Sequence, residues 1–159
     1  MLFDILLTFF LVALNGFFVA AEFAIVKVRY SQIEVRAQQG NRLAGVAQNI
    51  LNHLDSYLSA TQLGITLASL GLGWIGEPVV SKLLMALFHL LGFNFSEDLA
   101  HRIALPVAFA LITVLHIVFG ELAPKSIAIR KPEETTLAVS LPMRVFFLLF
   151  RPAIWLLTG

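Results

Sequence analysis

The sequence predicts an all-α integral membrane domain with three transmembrane helices, the second long and bent, followed by a juxtamembrane belt helix. Three observations carry that expectation. Hydrophobic residues make up 58% of the 159 positions and charged residues only 13%, against about 25% charged in soluble domains. Apolar runs long enough to cross a hydrocarbon core of about 30 Å recur three times. Basic and turn-forming residues collect between those runs. There is no cysteine, which excludes disulfide frameworks and thiolate metal sites. A net charge of +1 gives no bulk attraction to nucleic acid.

The first span lies within residues 1–30. Leu2 to Val26 is apolar and closes on Lys27, Arg29 and Tyr30, a charged and aromatic anchor suited to an interface. Its start lacks the basic region and small-residue cleavage site of a removable signal peptide, so it reads as a retained span. Asp4 stands at its outer edge, and Asn15 and Glu22 stand inside it. A carboxylate near a bilayer centre costs roughly 2.5–3.5 kcal/mol on insertion scales, so Glu22 is expected to face protein, water or a cation. Residues 31–55 are polar, with Leu43, Val46, Ala47, Ile50, Leu51 and Leu54 at three- and four-residue steps. Gly40-Asn41 divides them, which predicts a short amphipathic helical hairpin on the cytoplasmic surface.

Residues 56–92 form the second membrane element. Tyr57 to Gly76 is free of charge but carries Thr61, Gln62, Thr66 and Ser69 among Gly64, Gly71, Gly73 and Gly76. Small residues permit close helix packing, and glycine interruptions also mark discontinuous helices whose backbone lines a cavity. Both readings stand for the Thr61–Ser69 stretch. Glu77-Pro78 ends or kinks the helix, with 79–92 completing it. A turn over 92–98 follows, with Ser96 placed to cap the next helix.

The third span lies within 99–123. His116 near its end reads as a packed histidine, and Glu121 precedes Pro124, which frees carbonyls three and four residues upstream, including that of Gly120. Lys125 is placed to satisfy those carbonyls or to pair with Glu121. Residues 132–158 are apolar and aromatic. Arg144 and Arg151 are seven apart and share one helical face, which predicts an interfacial helix dipping Phe146, Phe147, Phe150 and Trp155 into lipid; a fourth span is the competing reading. Four basic residues follow the first span, two separate the second from the third and five follow the third. Positive-inside bias then gives a multi-pass protein of the cell's inner membrane, N-terminus outside and C-terminus cytoplasmic. Three spans make a poor closed pore, so a homodimer embedded in lipid is expected.

Asn15 and Glu22 share a face of the first span, the second span supplies hydroxyls and an amide, and the third supplies Glu121 and proline-freed carbonyls. Oxygen-only ligands of this kind suit hard cations such as Mg²⁺ or Na⁺. No nucleophile–base pair and no phosphate-binding loop is found, so no enzymatic activity is expected.

The segments Asn-Gly-Phe-Phe-Val-Ala-Ala-Glu-Phe-Ala (15–24), Gln-Leu-Gly-Ile-Thr-Leu-Ala-Ser (62–69), Gly-Trp-Ile-Gly-Glu-Pro (73–78) and Gly-Glu-Leu-Ala-Pro-Lys-Ser (120–126) together resemble the transmembrane domain of the CorC/cyclin M family (DUF21), whose bacterial members are often labelled haemolysin-like. The resemblance covers nearly the whole chain. It implies a dimeric three-span domain that exports Mg²⁺ by alternating access, coupled to Na⁺ entry. Its regulatory CBS-pair domains, which bind ATP in the full-length protein, lie outside this chain, so no nucleotide is expected here.

The resemblance implies a metal site among Glu22, Thr61, Gly64, Thr66, Ser69, Gly120 and Glu121, with Asn15, Ala21, Pro124 and Lys125 in structural or pathway roles. Glu22, Thr66, Ser69 and Glu121 are the residues expected to face the pathway. The chain departs from the family where hydroxyls and an amide are usual: Val19, Ala20 and Ala21 precede Glu22, and Ile65 and Thr66 follow Gly64. A weaker or more hydrated site is the corresponding expectation. Two other readings use the same residues, a non-transporting membrane adaptor or sensor for cytoplasmic regulatory domains and an exporter of organic cations such as polyamines.

Overall fold

A computed structural model describes residues 2–93 and 96–158. Within the turn expected over 92–98, Asn94 and Phe95 lie outside the described residues. The described residues are helical, with no strand. Three helical stretches are long and apolar enough to cross a membrane: α1 (Leu2–Lys27), α4 (Leu54–Leu90), and the run Glu97–Arg130. That run comprises α5 (Glu97–Ile117), a π-helical turn (Val118–Leu122) and α6 (Ala123–Arg130). The short helices α2 (Tyr30–Gln38) and α3 (Arg42–Asn52) separate α1 from α4, and α7 (Pro132–Leu149) and α8 (Arg151–Thr158) follow α6.

Helix boundaries follow local chemistry. Gly40, at φ +89°, ends α2 in the left-handed region that glycine enters without a Cβ clash. Asn41 then caps α3, its Oδ1 accepting from the amides of Leu43 and Ala44. Ser96 caps α5 in the same way through the Leu99 amide. At 37 residues α4 is about 55 Å long, well beyond one hydrocarbon thickness.

The spans meet on small residues. In α5 the seam against α4 runs through Ala100, Ala104 and Ala108, all buried, at four-residue steps. Helices α1 and α4 run antiparallel: Thr8 lies against Gly76, Leu11 against Gly71, and Phe18 against Gly64. Phe18 anchors the main core, which joins α1, α3, α4, α7 and α8 through Ile25, Ile50, Tyr57, Met143 and Ile154. Large apolar side chains such as Phe9, Phe10, Leu70, Trp74 and Phe109 point outward, and Trp74 is 82% exposed. A contiguous apolar exterior of this kind suits lipid rather than water.

Three local expectations are corrected. Gly64 is not a discontinuity: α4 passes through it unbroken, and the missing side chain makes room for the Phe18 ring. The third span does not end at residue 123 before Pro124 but passes it by way of the π turn and runs to Arg130, whereas α4 continues through Pro78 as the long second helix expected over 56–92. The single helix expected over 132–158 is two, because the chain breaks at Phe150 and turns through 83°. Arg144 and Arg151 therefore sit on different helices. Pro152 at the second position of α8 disfavours continuation of α7 into it.

A Cβ on Gly64 would sit 2.6 Å from three Phe18 ring atoms, whereas a Cβ on Gly73 meets nothing within 4 Å. Gly64→Ala is expected to destabilise the domain by about 1–3 kcal/mol, and Gly73→Ala by no more than about 0.5 kcal/mol. Thermal unfolding in detergent of the two variants side by side checks the difference.

Candidate functional site

Pro124 has no N–H, so the Gly120 carbonyl four residues earlier has lost its helical donor. The helix responds with the π turn, in which the Ala123 amide reaches back five residues to the Val118 carbonyl. A side chain from α1 supplies the replacement donor: Asn15 Nδ2 donates to the Gly120 carbonyl at 3.0 Å. Its neighbour Gly16 lets α1 approach, because a Cβ there would lie 3.0 Å from the Phe119 carbonyl and 2.9 Å from the Pro124 ring. Gly120 is similarly constrained, since a Cβ would meet Asn15 Nδ2 at 2.9 Å and His116 Cδ2 at 3.0 Å.

Asn15 is fully buried, and its other amide atom is also used. Ser69 Oγ of α4 donates to Asn15 Oδ1 at 3.1 Å. With the Ser69 proton committed, His116 Nε2, 3.3 Å from Ser69 Oγ, acts as donor, so that tautomer follows from hydrogen-bond balance. One chain of bonds therefore ties α1, α4, α5 and the π turn together.

Farther along the same seam the three spans part to leave an open cavity of about 220 Å³. It is lined by Val19, Glu22 and Phe23 of α1, Gln62 and Ile65 of α4, and Glu121 and Lys125. Gln62 Nε2 donates to Glu22 Oε1 at 2.6 Å. Lys125 Nζ lies 4.7 Å from the centroid of the Phe23 ring, a cation–π arrangement. The wider π turn brings consecutive residues inward: Gly120 is buried against Asn15 and Glu121 borders the cavity.

A second cavity, of about 170 Å³, lies on the other side of the Asn15 bond chain and is lined in part by Ser69, Glu77, Thr113 and His116. Gln62, Ile65, Ser69, Gly73 and Glu77 recur at three- and four-residue steps, so both cavities open on one stripe of α4. An apolar cleft of about 520 Å³ between α1, α4 and α5 offers only the Thr8 hydroxyl, which donates to the Asp4 carbonyl at 2.8 Å.

The structure gathers Glu22, Glu121 and Lys125 at one cavity. The remaining expected residues go elsewhere. Thr61 is fully buried and donates to the Leu58 carbonyl of its own helix at 2.7 Å. Thr66 is exposed and lines neither cavity. Ser69 belongs to the Asn15 chain, Gly64 packs under Phe18, and the Gly120 carbonyl is engaged by Asn15. Ala21 is fully buried in the Ile25–Ile50 core, and Pro124 rests on the Gly16 position. Among the described residues no three His, Asp or Glu side chains converge into a metal cluster.

Gln62 is the polar lining residue that sequence reasoning left out of the site. Its signal is the antiparallel register: Asn15 and Glu22 are seven apart on α1, Ser69 and Gln62 are seven apart on α4, and the pairs match in reverse order.

Residues 6–159 match the cyclin M transmembrane N-terminal domain family. The chain is 51% identical over 149 residues to UPF0053 protein YhdT of Bacillus subtilis, covering 94% of this chain and 32% of that protein. It is 46% identical over 149 residues to UPF0053 protein YrkA of the same organism, covering 94% and 34%. UPF0053 protein YhdP, also from B. subtilis, is 44% identical over 156 residues, covering 98% and 35%. The chain thus spans about a third of the length of these relatives. It belongs to the cyclin M membrane-domain family, and its three apolar helices make it a multi-pass membrane domain.

Replacing Asn15 by Leu removes the donor to the Gly120 carbonyl and takes away the acceptor of the Ser69 hydroxyl, which keeps only His116. A loss of about 1–3 kcal/mol is expected, and Asn15→Asp, which sets a carboxylate oxygen against the carbonyl, should lose at least as much. Unfolding of the two variants in detergent measures both.

Proposed function

We propose that this cyclin M family domain moves Mg²⁺ across the membrane as a hydrated ion, through the seam between α1, α4 and the π turn. The observation that carries the reading is that Glu22 and Glu121, from different spans, line one cavity with the Gln62 amide. Carboxylate and amide oxygens suit a hard cation. Two acidic side chains are too few to strip Mg²⁺ of its water, and Mg²⁺ sheds its waters reluctantly. At about 30 Å³ per water, a cavity of about 220 Å³ has room for an ion that keeps most of its shell.

Along α4 the ion would pass from this cavity towards Ser69 and His116, and then to the cavity bordered by Glu77 and Thr113. The Asn15 bond chain stands between the two cavities and acts as the gate in an alternating-access cycle. The working unit is a homodimer in the cell membrane, with the N-terminus outside and the C-terminus leading to cytoplasmic regulatory domains, and with Na⁺ entry driving export. A membrane adaptor without transport is the second reading. It is favoured by the Ser69 hydroxyl and Gly120 carbonyl, which are already hydrogen-bonded within the protein.

Glu22→Gln keeps an oxygen to accept from Gln62 while removing the charge, and Glu121→Gln does the same at the π turn. In liposomes carrying the full-length protein, each is expected to lower Mg²⁺ flux at least about tenfold, the equivalent of about 1.4 kcal/mol. Unchanged flux in both variants excludes the cavity as the pathway. No flux from intact wild-type dimers supports the adaptor, and inhibition by spermidine with spermidine uptake supports organic-cation export.

A further inference from the structure

We infer that Lys125 is a tethered internal cation that sets how strongly the Glu22–Glu121 cavity prefers divalent to monovalent ions; the inference rests on the transport reading above. The cavity is bordered by two carboxylates and one ammonium, which leaves a formal charge of minus one. A monovalent ion neutralises it. A divalent ion overshoots, so Lys125 works against the ion that the two carboxylates alone would favour.

The position of the ammonium supports this role. The ion pairs among the described residues are Arg36–Glu133, Arg102–Asp98 and Lys131–Glu134, and none involves Lys125. Its Nζ instead lies 4.7 Å from the Phe23 ring centroid. Glu22 takes its hydrogen bond from the neutral Gln62 at 2.6 Å. The lysine charge is thus held beside the carboxylates without occupying them. Its backbone is fixed as well, because Lys125 directly follows Pro124, which packs on Gly16.

Coulomb energy scales with the charge of the ion, so the ammonium opposes a divalent ion twice as strongly as a monovalent ion at the same place. Removing it should raise Mg²⁺ affinity by about the square of the gain for Na⁺: a fivefold gain for Na⁺ goes with about a twenty-five-fold gain for Mg²⁺. Phe23→Leu removes the ring that holds the ammonium aside. The lysine is then free to fall onto the carboxylates, and both affinities should drop, that for Mg²⁺ more.

The test titrates full-length protein in detergent with MgCl₂ and with NaCl at constant ionic strength, following the unfolding temperature, and repeats the flux measurement in liposomes. Lys125→Met is expected to show the squared relation. Lys125→Arg, which keeps the charge and can stack on Phe23, is expected to hold the wild-type ratio within about threefold. Equal gains for both ions in Lys125→Met, or an arginine variant that behaves like methionine, overturns the assignment while leaving the transport reading intact. If Lys125→Met does not fold, Phe23→Leu decides: a drop larger for Mg²⁺ supports the assignment and an unchanged ratio overturns it. Wild-type protein with no stabilisation by either ion and no flux overturns the transport reading and this inference with it.

Discussion

One missing hydrogen governs the interior of this domain. Pro124 cannot donate to the Gly120 carbonyl, and a carbonyl without a partner in a bilayer costs several kcal/mol. The third span accommodates this with a π turn, and α1 supplies Asn15 as a surrogate donor. From that contact the rest follows. Gly16 must lack a side chain for α1 to come close, Gly120 must lack one for Asn15 to reach, Ser69 donates to the oxygen of the same amide, and His116 in turn bonds the Ser69 hydroxyl. The turn that accommodates the orphaned carbonyl is also the one that brings Glu121 to the cavity.

The antiparallel register of α1 and α4 then converts one contact into a series. Each step along α1 is matched by a step back along α4: Thr8 with Gly76, Leu11 with Gly71, Asn15 with Ser69, Phe18 with Gly64, and Glu22 with Gln62. Gly71 and Gly64 face the bulky Leu11 and Phe18, Gly76 faces the Thr8 methyl, and Asn15 and Glu22 face the polar Ser69 and Gln62. A slip by one residue in either direction would set Phe18 against a Leu63 or Ile65 side chain and leave Asn15 facing an apolar residue. The polar pairs are therefore both the register key of the packing and the lining of the proposed route, and a change at either affects fold and pathway together.

How much of this was legible in the sequence varies with the range of the interaction. The three spans were legible because apolar length and interfacial charge are local properties. Glu22 and Glu121 stood out for the same reason, being charges in the wrong solvent. The role of Gln62 depends on pairing across 40 residues and that of Asn15 on pairing across 105. A seven-residue step on each helix hints at such pairs without saying that the helices align. Pro124 announced a freed carbonyl but could not distinguish a helix end from a π turn, since the outcome rests on whether a distant donor arrives. Gly64 read equally well as a break or as a packing notch, and only the Phe18 ring decides. At Phe150 the aromatic run suggested continuity, while Pro152 held the contrary signal and prevailed.

The substitutions that separate this chain from the usual family pattern do not bear equally on an ion. Ala21 is fully buried in the Ile25–Ile50 core, where a hydroxyl would face aliphatic side chains rather than the cavity. Thr66 is exposed and lies off the lining altogether. Val19 and Ile65 are different, because both border the cavity and both are apolar. Together they make that wall unable to ligate, which leaves Glu22, Gln62 and Glu121 as the protein's oxygen donors there. In the proposed route, an ion met by three side-chain groups on one side would keep water on the other. The departure from the family pattern is therefore compatible with the hydrated ion proposed above, for which through-space charge matters more than direct ligation. Lys125, bordering the same cavity but ion-paired with neither carboxylate, would act on that ion by the same through-space effect.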